Sequence, residues 1–202
     1  YEAIDPVRFI GNHSSGKMGF EIAKAAANLG AEVILISGPT HQKVTHNLIT
    51  IVPVVSAHDM YEAAHNYFKS VDVAIAAAAV ADYRPKEVAT QKIKKEESTL
   101  SLELEKTKDV LASLGQIKEQ QFLVGFALET NNEIENAKSK LKRKNLDLIV
   151  LNSLQDKGAG FKSDTNKVTL IDKNETINTF ELKSKTEVAK DILNTIISAL
   201  NA

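Results

Sequence analysis

Gly11-Asn-His-Ser-Ser-Gly16-Lys17-Met18 sets glycines, serines and an asparagine at the entrance to an apolar-striped helix. Such a bend offers backbone N–H groups, hydroxyls and a side-chain amide to an anion, and the helix start adds its own unpaired amides. The spacing matches G-x-x-x-x-G-K, but Met18 stands where a P-loop needs Ser or Thr to hold magnesium. Pro6 and Arg8 also lie where a P-loop has a buried strand. An anion-binding bend survives as a reading. The plainer reading is a helix cap, with Ser14 or Ser15 capping and Gly16 filling a tight turn.

A second constellation is Ala76-Ala77-Ala78, followed by Asp82 and then Lys92-Ile-Lys-Lys95. Small side chains at a strand end let a flat ring or a backbone approach closely. An acid just past that end stands at the carboxyl edge of the sheet, where open α/β folds bind ligands. Lysines beyond it suit phosphate oxygens, and a solvated charged loop is the alternative. Lys140 and Lys144, four apart, serve either a phosphate or the negative end of their own helix dipole. His13, His41, His46, His58 and His65 show no metal-ligand spacing. No tyrosine begins a Tyr-x-x-x-Lys pair and no G-x-S-x-G elbow occurs, which argues against a short-chain reductase and a serine hydrolase.

Alternating elements must position these groups. The pattern predicts a turn around Asp5-Pro6, a helix over Met18–Leu29 stopped by Gly30, and a strand over Glu32–Ser37. A capping-box-like Ser56-Ala-His-Asp59 opens a helix to Ser70, and Val71–Val80 reads as a strand. The stretch from Ala81 to Lys108 is looser and ends in a half-exposed strand over 99–105. Asp109–Glu119 and Glu133–Lys144 read as helices, Phe122–Phe126 and Leu146–Leu151 as strands, and Lys167–Leu182 as a hairpin around Lys173-Asn174. A capping box, Ser184 with Glu187, opens the closing helix to about Leu200. Strands alternating with helices predict an α/β, Rossmann-like three-layer domain over 1–202. Its sheet is mostly parallel, with antiparallel hairpin excursions near 85–108 and 167–182.

The chain has 202 residues, 43% hydrophobic and 25% charged, which fits one folded domain. A net charge of −1 supplies no field for nucleic acid. The absence of cysteine excludes disulfides, thiolate metal sites and a catalytic thiol. No apolar run is long enough for a membrane span, and the expectation is a cytoplasmic protein without nucleic-acid or membrane partners.

The segments DPVRFIGNHSSGKMG, AEVILISGPT, AAAAVADYRP, KIKK, LVGFALETN, KRKNLDLIVLN and GFKSDTNKV, in this order, resemble the phosphopantothenoylcysteine synthetase family from Glu2 to about Leu170. The resemblance implies a ligase that activates 4′-phosphopantothenate with CTP and Mg²⁺, forms an acyl-cytidylate and pyrophosphate, and passes the acyl group to L-cysteine. It further implies Asn12 on the acyl-nucleotide, Lys92 in activation, and Ala76, Ala77, Ala78 and Asp82 on the nucleotide, with Asp82 also toward the metal. Ser14, Gly16, Lys108, Asp109, Val110, Leu111, Phe126, Lys140 and Lys144 fall at its other nucleotide contacts. Arg8 is a candidate for substrate or for a dimer interface.

The family is dimeric and often fused behind a flavin-dependent decarboxylase, which alone would bring FMN. Where the family has Asn-Pro-Asp-Ile, this chain reads Thr107-Lys-Asp-Val110 and loses the rigid turn; Leu128 replaces an alanine. The family also carries a strand before YEAIDPVR. The expectation is therefore a domain lacking its first strand, with two neighbouring sheet edges open. A dinucleotide oxidoreductase is the rival, weakened by the lack of G-x-G-x-x-G and of an acid after the second strand, where Ser37-Gly-Pro stands. A catalytically silent nucleotide-binding domain is the other, against which Asn12, Asp82 and Lys92 all argue.

Overall fold

Along the strand Leu148–Ser153, side chains alternate between two cores. Leu148 and Val150 join Val124, Val168 and Leu170 on one side, while Ile149 and Leu151 join Leu123, Ala127 and Ile171 on the other. A strand apolar on both faces needs helices on both sides. In this computed structural model, which describes residues 1–94, 99–153 and 163–201, both faces are covered. The first face carries Lys17–Asn28 (α1) and Lys185–Leu200 (α5), through Ile22, Val188, Ile192 and Ile196. The second carries Ala57–Phe68 (α2), Val110–Ile117 (α3) and Glu133–Arg143 (α4), through Phe68, Leu114, Ala137 and Leu141. This is the expected three-layer α/β, Rossmann-like architecture.

Strands are numbered in chain order: Glu2–Ala3 (β1), Phe9–Ile10 (β2), Val33–Ser37 (β3), Ile49–Pro53 (β4), Val73–Ala76 (β5), Tyr83–Pro85 (β6) and Leu104–Lys106 (β7). Phe122–Glu129 (β8), Leu148–Ser153 (β9), Thr165–Asn166 (β10), Val168–Asp172 (β11), Ile177–Thr179 (β12) and Lys183–Ser184 (β13) follow. The main sheet runs β12-β11-β9-β8-β5. Its β5, β8 and β9 are parallel, and the β11–β12 hairpin is added antiparallel. β3 and β4 form a separate parallel pair, which α1 and α2 both touch while also packing on the main sheet. Among the described residues β3 pairs only with β4, and β5 only with β8.

Several elements differ from expectation. β4 was not anticipated; its Pro53 stands at the last position of an edge strand, where a missing donor costs nothing. The crossover from β3 to β4 contains no helix. The expected strand over Val71–Val80 keeps only Val73–Ala76, and the half-exposed strand over 99–105 contracts to β7, paired with β6. β8 runs three residues further than expected, to Glu129. The turn at Asp5-Pro6 is closed by the β1–β2 pair, and β10 pairs with β13; neither ladder was expected. Both capping boxes form as expected, each stabilising its helix by about 1 kcal/mol. Among the described residues no helix is long and apolar enough to cross a membrane.

Candidate functional site

Gly16 begins α1 with φ of 73°, a left-handed conformation in which a side chain is strained. A Cβ there would also lie 3.1 Å from Thr40 Oγ1. Neither serine caps the helix, which corrects one of the two sequence readings. Instead the Ser14 hydroxyl accepts from the Gly16 amide at 3.2 Å and the Ser15 hydroxyl from the Lys17 amide at 3.4 Å. The bend is thus shaped by its own hydroxyls, while the Met18 and Gly19 amides have no acceptor within the helix.

Long-range hydrogen bonds draw other segments onto this bend and onto the β1–β2 turn just before it. Thr40, just past β3, donates its hydroxyl to the Ser15 carbonyl at 2.8 Å. Asn12 donates Nδ2 to the Val80 carbonyl at 3.0 Å, tying the bend to the alanine-rich segment that follows β5. Ala76 ends β5, with Ala77 and Ala78 just beyond it at the carboxyl edge. Arg8 Nη2 donates to the Ile93 carbonyl at 2.6 Å, which brings in the segment beginning at Lys92. Lys95 of that segment, and Gly160, Phe161 and Lys162 of GFKSDTNKV, lie outside the described residues.

Asp82 is exposed, and its carbonyl accepts from the Thr107 amide at 3.0 Å, while the Thr107 hydroxyl donates to the Ala81 carbonyl at 2.7 Å. The turn without proline is therefore held by Thr107. Lys108 reaches over the Tyr61 ring of α2, 4.3 Å from its centre. Asp109 caps α3 by accepting from the Ala112 amide at 2.9 Å. Val110 and Leu111, at the start of α3, pack their side chains against the second core. Phe126 is partly buried against the first core.

Lys140 and Lys144 each hold a carboxylate, Lys140 with Glu129 at the end of β8 and Lys144 with Asp109 at 2.8 Å. Burial pushes the Asp109 carboxyl up, but the Lys144 ammonium, the Ala112 amide and the Arg143 charge outweigh it and hold it below its usual range. Among the described residues no group of three or more His, Cys, Asp or Glu is arranged to hold a metal.

The structure adds residues that sequence reasoning passed over. Lys17 pairs with Asp164 at 2.6 Å, which brings that residue of the GFKSDTNKV segment to the helix start. Lys185, buried at the first turn of α5, has its ammonium pushed below the ordinary value by burial and by Lys17, against the opposing pull of Asp164. Asp164 sits inside a segment already singled out; nothing in the sequence marks Lys185.

A family model described as the DNA/pantothenate metabolism flavoprotein C-terminal domain matches residues 1–200. A protein named cysteine/cysteine sulfinic acid decarboxylase, from an unknown prokaryotic organism, is 52% identical over 99% of this chain and 56% of its own length. The coenzyme A biosynthesis bifunctional protein CoaBC of Bacillus subtilis (strain 168) is 48% identical over 96% of this chain and 48% of its own length. The chain thus spans about half the length of these curated relatives. The crystal structure of the C-terminal domain of a CoaBC protein superposes with a TM-score of 0.84 at 45% identity, covering 99% of this chain and 90% of that one. The DNA/pantothenate metabolism flavoprotein from Streptococcus pneumoniae, 24% identical with a TM-score of 0.85 over 98% and 94% of the two chains, shares the fold. The chain belongs to the DNA/pantothenate metabolism flavoprotein C-terminal domain family.

Proposed function

We propose that this domain joins 4′-phosphopantothenate to L-cysteine at the expense of CTP. The substrate carboxylate attacks the α-phosphorus of CTP and expels pyrophosphate; the cysteine amine then attacks the acyl carbon, CMP leaves, and the amide forms. The observation that supports this reading is that Asn12 on the bend holds the Val80 carbonyl, two residues before Asp82, while Arg8, four residues before Asn12, holds the Ile93 carbonyl next to Lys92.

Activation needs cations near the phosphates and amides aimed at developing negative charge. The free amides at the start of α1 suit a phosphate, with Ser14 and Gly16 shaping the bend. Lys92 offsets charge as carboxylate and α-phosphate approach. Small Ala76–Ala78 leave room for the nucleotide, and the flanking Lys108–Leu111 turn and the Lys140 and Lys144 pairs border that side. Asp82 fits Mg²⁺, which is commonly shared between one or two carboxylates and substrate phosphates rather than caged by protein. When bound there it would draw electron density from the phosphates and ease departure of pyrophosphate.

The curated relatives' length supports a flavin-dependent decarboxylase elsewhere in the polypeptide, and FMN would belong to that part. Exposed Val7, Phe9, Tyr83 and Leu104 on the two small hairpins support a homodimer, with Arg8 beside that surface. The open edges of β3 and β5 support one further parallel strand between them. The setting proposed is the cytoplasm.

Pyrophosphate release with CTP and 4′-phosphopantothenate, with ATP and NADPH as parallel controls, tests the reading. Release with CTP is expected. No release with either nucleotide from the full polypeptide, or loss of CO₂ from cysteine catalysed by this domain alone, would overturn it. Replacing Asn12 by Asp removes the amide donor at an exposed position. The expected result is pyrophosphate release within a few-fold of normal and amide formation slowed about 100-fold, as when one oxyanion donor is lost. Equal loss of both half-reactions contradicts the role.

A further inference from the structure

Between Lys86 and Lys94 the chain leaves β6 and adopts no regular structure, yet one residue in it is gripped on both of its backbone polar atoms. Asp5 Oδ2 accepts from the Ile93 amide at 3.2 Å, and Arg8 Nη2 donates to the Ile93 carbonyl at 2.6 Å. The two gripping side chains share the β1–β2 turn, which is closed by the Ile4 amide donating to the Arg8 carbonyl at 2.8 Å. Asp5 is 2% exposed.

The two oxygens of Asp5 divide their work. Oδ1 accepts from the Val7 and Arg8 amides, both at 2.8 Å, which is what shaping the turn requires. An asparagine would do that equally well. The second oxygen goes to the Ile93 amide and to the Arg8 guanidinium, whose Nε is 3.4 Å away. The guanidinium is thereby held with its far nitrogen on the Ile93 carbonyl. Ile93 is half-buried between exposed Lys92 and Lys94. Fixing the backbone there fixes the point from which the Lys92 side chain departs, four residues of β2 and bend away from Asn12 on the gripping side.

We infer that Asp5 is a positioning residue for Lys92: with Arg8 it clamps the backbone of Ile93, through the two peptides that flank it, and so aims the preceding lysine for the activation half-reaction. The inference rests on the ligase reading above for its purpose, though not for the existence of the clamp. An ammonium on a loose loop samples many directions; one anchored at the next peptide is confined, which is worth most when it must meet charge developing at one phosphorus.

Asp5→Asn separates the two oxygens. The Val7 and Arg8 amides retain the amide oxygen, and the NH₂ group then faces the Ile93 N–H, donor against donor. The measurements are amide exchange at Ile93, pyrophosphate release, and amide formation from supplied phosphopantothenoyl-cytidylate. Exchange at Ile93 should rise at least tenfold and pyrophosphate release fall at least tenfold, while consumption of the supplied intermediate stays within twofold. Ile93→Pro, which deletes the same hydrogen bond from the other side, should reproduce that split.

Unchanged exchange at Ile93 would show that the clamp does not exist. Faster exchange with unchanged pyrophosphate release would show that it does not position Lys92, and equal loss of both half-reactions would reduce Asp5 to a folding role. Absence of pyrophosphate release from the unmutated full polypeptide overturns the ligase reading and the clamp's purpose with it, while exchange at Ile93 still reports the clamp separately.

Discussion

Lys92→Gln is expected to abolish pyrophosphate release, by about 1,000-fold or more, with the melting temperature unmoved. The two halves of that expectation come from different observations. Lys92 is exposed on an irregular segment, and surface substitutions away from caps and cores usually change stability by less than about 0.5 kcal/mol. Its proposed partner is a phosphorus centre that gains negative charge as the carboxylate arrives. Removing one neutral donor from such a site costs about 100- to 1,000-fold, and removing a cation costs more where water is excluded. Glutamine keeps a hydrogen-bonding head, one bond closer to the backbone, but not the charge, so the loss reports mainly the charge. Lys92→Arg should recover part of the rate, because it restores the cation with a different shape. Supplied acyl-cytidylate should still be converted to the amide by the Lys92→Gln protein. Pyrophosphate release within tenfold of the unmutated rate would remove Lys92 from the activation step.

The clamp on Ile93 illustrates what a sequence can and cannot reveal. Local periodicity exposes what neighbours decide: the stripe of α1, the alternation that buries β9 on both faces, and the capping boxes at Ser56 and Ser184. A hydrogen bond between Arg8 and a carbonyl 85 positions away leaves no such trace. Nor does the short pairing of β10 with β13, where two residues carry no period, whereas the antiparallel excursion near 85–108 was marked by the alternation that leads into β7. Lys140 and Lys144 were open between a phosphate and the helix dipole, and spacing along one helix could not disclose Glu129 and Asp109, which come from other elements. The residues at the bend were legible because chemistry marks them. The contacts that gather them were not, because tertiary distance does.

Gly115 carries the second large effect. It sits within α3, where an alanine would ordinarily gain about 1 kcal/mol of helix propensity. A Cβ at this position, however, would lie 2.0 Å from the Lys144 carbonyl oxygen and 2.9 Å from its carbonyl carbon. Those are backbone atoms at the end of α4, so no side-chain rotation relieves the contact; a helix must move. The junction is further fixed by Asn145, left-handed at φ 53°, whose Nδ2 donates to the Gly115 carbonyl at 2.9 Å.

Overpacking typically costs about 1–3 kcal/mol and more where the backbone must shift. Gly115→Ala is therefore expected to destabilise by about 3 kcal/mol, lowering the melting temperature by roughly 6–12 °C in a domain of this size. Gly19→Ala is the matched control. It is also helical, with nothing within 4 Å of the added methyl, so propensity alone should act and the melting temperature should rise slightly. If the two alanines shift the midpoint alike, close approach of α3 to the end of α4 is not what demands glycine. If they diverge as expected, displacement of Lys144 should also loosen its pair with Asp109. That links the packing at Gly115 to the turn that borders the proposed nucleotide site.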